Sequence, residues 1–178
     1  SGNNEVLGKM KRRYKRELYL ERVNRIKKVM PDACIGVDMI VGFPGESEEH
    51  FLDSYNFLMN LPISYLHVFT YSERPGTEAA DLSHTIPKIE RKARNHRLRL
   101  LSAQKTKFFA DSHIDSARRV LWEDSDRDGR MQGYTENYIR VSAPFNLKKA
   151  GSVEYGIVGE IQSDGCFEFN HIQATQTA

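Results

Sequence analysis

Apolar positions along this chain follow two rhythms, one recurring every three or four residues and one every second residue, and the points of change predict its elements. Ser1 to Asn4 reads as a loop and Glu5 to Tyr14 as a short helical stretch. Glu17 to Met30 carries Leu20, Val23, Ile26 and Met30 at helical spacing until Pro31 stops it, which predicts an amphipathic helix laid on a sheet. From Ile35 to Phe43 the pattern tightens, continuously apolar from Met39 to Val41, as in a strand covered on both faces. Gly42, Phe43, Pro44, Gly45 and Glu46 break that strand into a turn. Ser47 is placed to cap the next helix, and Glu48 and Glu49 fall in its first turn, where the helix dipole favours negative charge. That helix, Glu48 to Asn60, puts Phe51, Tyr55 and Leu58 on one face before Pro62.

The next strand, Tyr65 to Tyr71, alternates Tyr65, His67, Phe69 and Tyr71 with Leu66, Val68 and Thr70. One face is aromatic and polar, the other apolar. Strand, helix and strand make a βαβ unit, so the sheet is expected to be parallel with a right-handed crossover. Two strands alone leave both sheet edges open, which leads us to expect dimerisation or strand exchange in this chain. Pro87 opens a long helix in which Ile89, Ala93, His96, Leu100 and Ala103 form the apolar stripe.

After Ser116 the rhythm becomes that of short strands at about ten-residue spacing. They run Arg118 to Glu123, Met131 to Glu136, Tyr138 to Ser142, Val153 to Ile161 and Cys166 to Phe169, with turns at DSDRDG, PFNLKKAG and QSDG. This predicts a small antiparallel β-barrel, whose closure removes exposed edges. The fold class is therefore α/β plus all-β, with domains at 1–112 and 113–178 and a polar end after His171.

Charge changes this picture only locally. The net charge of +2 over 178 residues excludes a strongly basic binder, so a nucleic-acid surface must come from clustering. Lys88, Arg91, Lys92, Arg94, Arg97, Arg99, Lys105 and Lys107 crowd the long helix, with only Glu90 against them from Pro87 to Lys107. They read either as a solvated face or as an RNA-facing one. In the barrel, Arg118, Arg119, Arg127, Arg130, Arg140, Lys148 and Lys149 interleave with Trp122, Tyr134, Tyr138 and Phe145. Aromatics stack on bases and cations take phosphates, although the same aromatics also serve as core. No apolar run reaches the roughly 20 residues of a membrane span, and no signal-peptide pattern opens the chain, so a cytoplasmic protein is expected. Cys34 and Cys166 stand far apart, which argues against a disulfide scaffold and against a zinc or iron–sulfur site built within this chain.

The turn ending the first strand is where α/β proteins place ligands, and its glycines permit close backbone approach. A tight turn without a ligand fits the same residues. Arg74, in SERPGT, fits either a plain turn or a fork for a carboxylate or phosphate. Neither G-x-G-x-x-G nor a Walker lysine is present, which weighs against a flavin or nucleotide binder.

The order DMIVGFPGE, YLHVFTYSERPGT, a basic helix, and a terminal β-barrel containing GRMQGYTENYIRV closely resembles the methylthiotransferase family of radical S-adenosylmethionine enzymes. The resemblance runs from SGNNEVLGKMKRRY onward and implies the C-terminal part of a radical-SAM partial (β/α) barrel followed by a TRAM-like domain, with Ser1 a cut through that barrel. HVF before YSERPGT looks most like the branch acting on threonylcarbamoyladenosine at position 37 of tRNA. The isopentenyladenosine and ribosomal-protein branches are the alternatives within the family, and a non-enzymatic RNA-binding adaptor is the alternative outside it.

The family chemistry, as the resemblance implies it, uses S-adenosylmethionine and two 4Fe-4S clusters. One cluster, on a Cys-x3-Cys-x2-Cys motif, generates a 5′-deoxyadenosyl radical that takes hydrogen from C2 of adenine, and the other is associated with sulfur delivery. Neither cysteine set occurs here, so this chain alone is expected to be inactive, with no catalytic residue and no metal ligand of its own. Ile40, Val41, Gly42, Phe43, Pro44, Gly45 and Glu46 match the segment lining the adenosine part of the cofactor. His67, Phe69, Tyr71 and Ser72 would line the cavity, and Arg74 would meet a carboxylate or a tRNA phosphate. Asp38 fits either an orienting role or that of a paired structural acid. The barrel would hold the tRNA anticodon stem-loop through Arg127, Arg130, Tyr134, Tyr138, Arg140, Lys148 and Lys149, joined by Arg97 and Arg99, with no DNA partner and no membrane.

Overall fold

The computed structural model describes residues 1–171; the polar end after His171, and with it the end of the expected second domain, lies outside the described residues. The chain divides into two compact units, residues 1–107 and residues from 108 onward.

The first unit contains α1 (Asn4–Lys9), α2 (Arg16–Val29), β1 (Gly36–Val41), α3 (Glu48–Asn60), β2 (Tyr65–Thr70) and most of α4 (Lys88–Asp111). Asn3 caps α1 by accepting from the Glu5 and Val6 amides. The helix stops well short of Tyr14 because Lys11 turns left-handed (φ 55). The Lys11 and Arg12 amides fold back onto the Gly8 and Leu7 carbonyls. Ser47 caps α3 as expected, reciprocally with His50. The far end of α3 is closed by Lys105, whose Nζ donates to the Met59 and Leu61 carbonyls at 3.0 and 2.8 Å.

β1 and β2 pair in parallel, Gly36 opposite Tyr65 through Val41 opposite Thr70. Met39, Val41 and Leu66 join Val23, Phe51, Leu58, Leu61, Ile63, Leu98 and Leu101 in one core. The outer edge of β2 is not open. Ser102 Oγ accepts from the Leu66 amide at 2.8 Å and donates to its carbonyl at 3.0 Å, and Asn95 donates to the Val68 carbonyl at 3.0 Å. Helix α4 thus satisfies backbone groups that a third strand would otherwise take. The other edge of β1 pairs with no strand among the described residues.

The face α4 buries differs from the one its apolar pattern predicts. Ile89 (81% exposed) and Leu100 (53%) lie in solvent, and Ala93, His96 and Ala103 are exposed with them. Arg91, Arg94, Leu98 and Leu101 face inward instead. Two guanidinium groups can occupy a core-facing stripe only where carboxylates and carbonyls await them, and beside the nearby Ile86 and Glu90 those acceptors are Glu46, Tyr71 and Glu73, distant in sequence.

The second unit is a closed barrel of β3 (Ala117–Trp122), β4 (Arg130–Thr135), β5 (Arg140–Pro144), β6 (Val153–Ile161) and β7 (Phe167–His171), in the order β3-β4-β5-β7-β6. The expectation of a purely antiparallel barrel is corrected: β5 and β7 run parallel, with Val141 opposite Phe167. A ring with an odd number of strands cannot alternate direction all the way round, so one neighbouring pair has to be parallel. Val120, Trp122, Met131, Val141, Val158, Phe167 and Phe169 fill the interior. Trp122, 1% exposed, finds its indole partner in Glu154 at 2.7 Å. No helix among the described residues is long and apolar enough to cross a membrane.

Candidate functional site

Beyond Val41 the chain turns at Gly42 (φ 76), and Glu46 folds back beneath the turn. The Glu46 side chain is wholly buried, and its Oε2 accepts from the Gly42 amide at 2.6 Å and from Arg94 Nη1 at 2.9 Å. Arg94 Nη1 also donates to the Glu46 carbonyl at 2.8 Å, while its Nη2 pairs with Glu90. Arg91, one turn earlier, donates from Nε to the Ile86 carbonyl at 2.7 Å, from Nη1 to the Tyr71 carbonyl at 2.9 Å, and from Nη2 to Glu73. Its stem lies where Gly42 would carry a side chain, since a Cβ there would stand 2.4 Å from Arg91 Cγ. The Tyr71 amide donates to the Val41 carbonyl at 2.8 Å, and the Phe43 and Tyr71 rings meet edge-on at 5.3 Å. Two arginines of α4 therefore lock the tips of β1 and β2 together.

These arginines were not among the sequence candidates for the strand tips. Their signal is the stripe 91, 94, 98, 101, 105, which becomes coherent only when an arginine stem counts as apolar and its head has a partner. The Arg91 hydrogen bond holds the Glu73 carboxyl down at about 2. Two buried oxygens at the tip, Glu46 Oε1 and Tyr71 Oη, have no protein partner among the described residues.

One face of the sheet is packed and the other open. Asp38 stands in register with His67 and Ile40 with Phe69 on the open face, where Asp38, His67 and Phe69 are exposed and Ile40 half-buried. Gly36 makes room for the Tyr65 ring, which contacts His67 edge-on at 5.0 Å. The structure thus gathers Asp38, Ile40, His67 and Phe69. Val41 is in the core, and Phe43, Pro44 and Glu46 are buried within the turn. Gly45 amide donates to the His84 carbonyl and its carbonyl accepts from Lys9. Ser72 and Arg74 are exposed, and the Arg74 carbonyl accepts from Thr77 in the turn that follows.

Two concavities flank this face. One, of about 310 Å³, is lined by Asp38 with Arg12, Tyr14, Arg16 and Tyr19. Arg16 is fixed there by Asp53 at 2.7 Å; burial pushes the Asp53 carboxyl up, but its bonds from Arg16 and Asn3 outweigh that and leave it low. The other, of about 420 Å³, is lined by Phe69 with Lys92, Asn95, His96 and Arg99.

The expected RNA contacts separate by what else they bind. Arg97 and Arg99 are both exposed, and Arg97 pairs with Glu48 at 2.9 Å and lies over the Phe51 ring. Arg130 is held by Ser142 and Glu168, and Arg140 bonds Gln132 and covers the Tyr134 ring. Lys149 lies 3.0 Å from Glu154, which also accepts from Trp122. Burial pushes the Glu154 carboxyl up, and the Lys149 and Trp122 hydrogen bonds bring it below its usual value. Arg127, Tyr138 and Lys148 are exposed, and Tyr134 is half-buried.

A Radical SAM superfamily model matches residues 1–58. The threonylcarbamoyladenosine tRNA methylthiotransferase MtaB of Bacillus subtilis is 38% identical over 145 residues, 79% of this chain and 32% of the relative. Its counterpart in Aquifex aeolicus is 40% identical over 156 residues, 88% and 35% of the two chains. A tRNA-2-methylthio-N(6)-dimethylallyladenosine synthase of Pelobacter propionicus is 38% identical over 138 residues, 77% and 31%. The chain belongs to the radical S-adenosylmethionine methylthiotransferase family. It spans about a third of the length of these curated relatives. Among the described residues no group of His, Cys, Asp or Glu side chains is arranged to hold a metal ion. Cys34 and Cys166 lie in different units, and burial pushes both thiols up, away from the thiolate form that binds iron.

Proposed function

We propose that this chain carries the cofactor-facing strand tips and the RNA-holding barrel of a tRNA methylthiotransferase that places a methylthio group on C2 of a hypermodified adenosine at position 37. Residues 1–112 serve as the C-terminal part of a radical-SAM partial barrel and 113–178 as its TRAM-like domain. The observation that carries the reading is the open face where Asp38 and His67, and Ile40 and Phe69, stand side by side on two strands whose tips are locked by Arg91 and Arg94.

S-adenosylmethionine fits this tip. Ile40 and Phe69 offer apolar contact to an adenine ring, Asp38 offers a carboxylate, and the tip keeps two buried acceptors unused. When bound, the cofactor supplies the one-electron chemistry that takes hydrogen from C2. The residues of this chain orient and shield: β1 and β2 wall the site, and Arg91 and Arg94 keep the tips from parting. Iron–sulfur clusters do not fit here, and the proposed reading places their cysteines outside these 178 residues, so the chain alone is inactive while retaining tRNA binding.

The test is nucleoside mass spectrometry of tRNA from a strain lacking the gene, complemented by the full gene or by its Asp38→Ala or His67→Ala form. Restoration of the methylthio group on threonylcarbamoyladenosine by the parent gene, and a fall of at least tenfold with either variant, supports the reading. Restoration on dimethylallyladenosine instead would select the second branch, which the Pelobacter relative favours. No methylthio product with the parent gene leaves a non-enzymatic RNA-binding adaptor.

A further inference from the structure

Tyr138 holds a backbone conformation that large side chains avoid. Its φ is 63, its ring is 74% exposed, and it is followed by buried Ile139. The turn is fastened from below: Thr135 Oγ1 accepts from the Ile139 amide at 2.8 Å and donates to Asn137 at 2.7 Å, and the Thr135 carbonyl accepts from the Tyr138 amide at 2.9 Å. Thr135 and Asn137 are both buried. A turn of this shape is met at no steric cost by glycine and readily by asparagine, so an exposed tyrosine there is strain without a folding benefit.

What Tyr138 overlooks is a pocket of about 480 Å³, floored by Leu121, Val153 and Tyr134 and rimmed by Arg119 and Glu136. The barrel register sets these in a row, with Val153 opposite Leu121 and Leu121 opposite Tyr134. Leu121 and Val153 are 54% and 62% exposed, an apolar patch left in water. The Tyr134 and Tyr138 rings stand 6.3 Å apart, and the Arg140 guanidinium covers Tyr134 at 5.5 Å from its centroid.

We infer that this pocket takes a single unstacked nucleobase of the bound RNA, with Tyr138 as its stacking wall and Arg119 placed for the adjoining phosphate. The inference rests on the tRNA-binding reading and adds to it one named base site. The pocket's size suits one planar ring system, and arginine beside the aromatics complements a polyanion. Every nucleobase offers a flat face to an aromatic, so the site selects for an unpaired base before it selects for sequence.

The test uses the 178-residue chain and a fluorescently labelled anticodon stem-loop RNA, with abasic substitutions made one loop position at a time. In the parent chain one abasic position costs about 5- to 150-fold in affinity, the span for one base stacked on an aromatic ring. In Tyr138→Gly the intact RNA loses a similar factor, and that same abasic substitution then costs nothing further. The salt dependence of binding is unchanged because no cation has been removed. The melting temperature of Tyr138→Gly equals or exceeds the parent's, and Tyr138→Asn serves as a second variant that also tolerates the left-handed backbone.

Unchanged RNA affinity in both variants overturns the inference and leaves the patch to a protein partner. Equal losses at every abasic position overturn it as well. A parent chain with no affinity for the stem-loop instead removes the tRNA-binding reading itself.

Discussion

Arg94 and Glu46 form an ion pair 2.9 Å long in which the side chains are 2% and 0% exposed. One partner comes from the turn after β1 and the other from the second turn of α4, and the guanidinium bonds the Glu46 carbonyl as well. Removing one charge strands the other in the core. Arg94→Ala is expected to lower stability by about 3–5 kcal/mol, read from urea denaturation followed by far-UV circular dichroism. The double change Arg94→Met with Glu46→Gln should recover much of that loss. A single variant as stable as the parent would mean that water reaches this pair.

Gly42 and Gly45 share a left-handed backbone but not their surroundings. A side chain at Gly42 runs into the Arg91 stem at 2.4 Å, whereas the nearest atom to one at Gly45 is the mobile end of Lys9 at 3.1 Å. Gly45→Ala should cost about 1–3 kcal/mol from the backbone alone, and Gly42→Ala more than that. Thermal melts of the two variants give the comparison, and equal losses would contradict the packing of Arg91 on Gly42.

The Glu73–Arg91 pair makes a pH signature. The Arg91 hydrogen bond lowers the Glu73 carboxyl from 4.5 to about 2, so the folded state binds the Glu73 proton less readily than the unfolded chain. The stabilising contribution is therefore complete above 4.5 and disappears as pH falls from there through about 2. Glu73→Gln should flatten this part of the stability profile between those limits. Carbon-13 NMR of the Glu73 carboxyl gives its midpoint directly, and an ordinary glutamate value would dismiss the pairing.

Lys148 and Lys149 are neighbours with different duties. Lys148 is exposed and Lys149 is bound to Glu154, which holds the Trp122 indole. Lys148→Ala should reduce the salt dependence of stem-loop binding by about one ion with no change in melting temperature. Lys149→Ala should cost the barrel up to about 1 kcal/mol, because its pair is partly solvated. Tryptophan fluorescence melts and anisotropy titrations at several salt concentrations separate the two effects.

Ser102 closes the edge of β2 by serving both the amide and the carbonyl of Leu66. Ser102→Ala should cost about 1–3 kcal/mol and favour self-association through the uncovered edge. Sedimentation of variant and parent at rising concentration tests this, and a variant as stable as the parent that associates no more strongly would show that the edge needs no cover.

The local rhythm of the chain was enough for the elements whose partners are near in sequence. Helix Glu48–Asn60 and strand Val153–Ile161 have the bounds their patterns predict, and Ser47 and His50 set the start of the former from within four residues. The parallel pairing of β1 with β2 also follows from strand, helix and strand in succession. Five strands in the second unit were legible too, yet the parallel β5–β7 pair emerges only when the ring closes. What periodicity could not decide was which stripe of α4 faces inward. Ile89 and Leu100 look like core and lie in water, while Arg91 and Arg94 look like surface and are buried. Burying a guanidinium is unfavourable by itself and becomes favourable only with its acceptors in place. Beyond the local Ile86 and Glu90, those acceptors are Glu46, Tyr71 and Glu73, in turns distant in sequence that only the tertiary fold brings to α4, so tertiary structure gave these arginines their place.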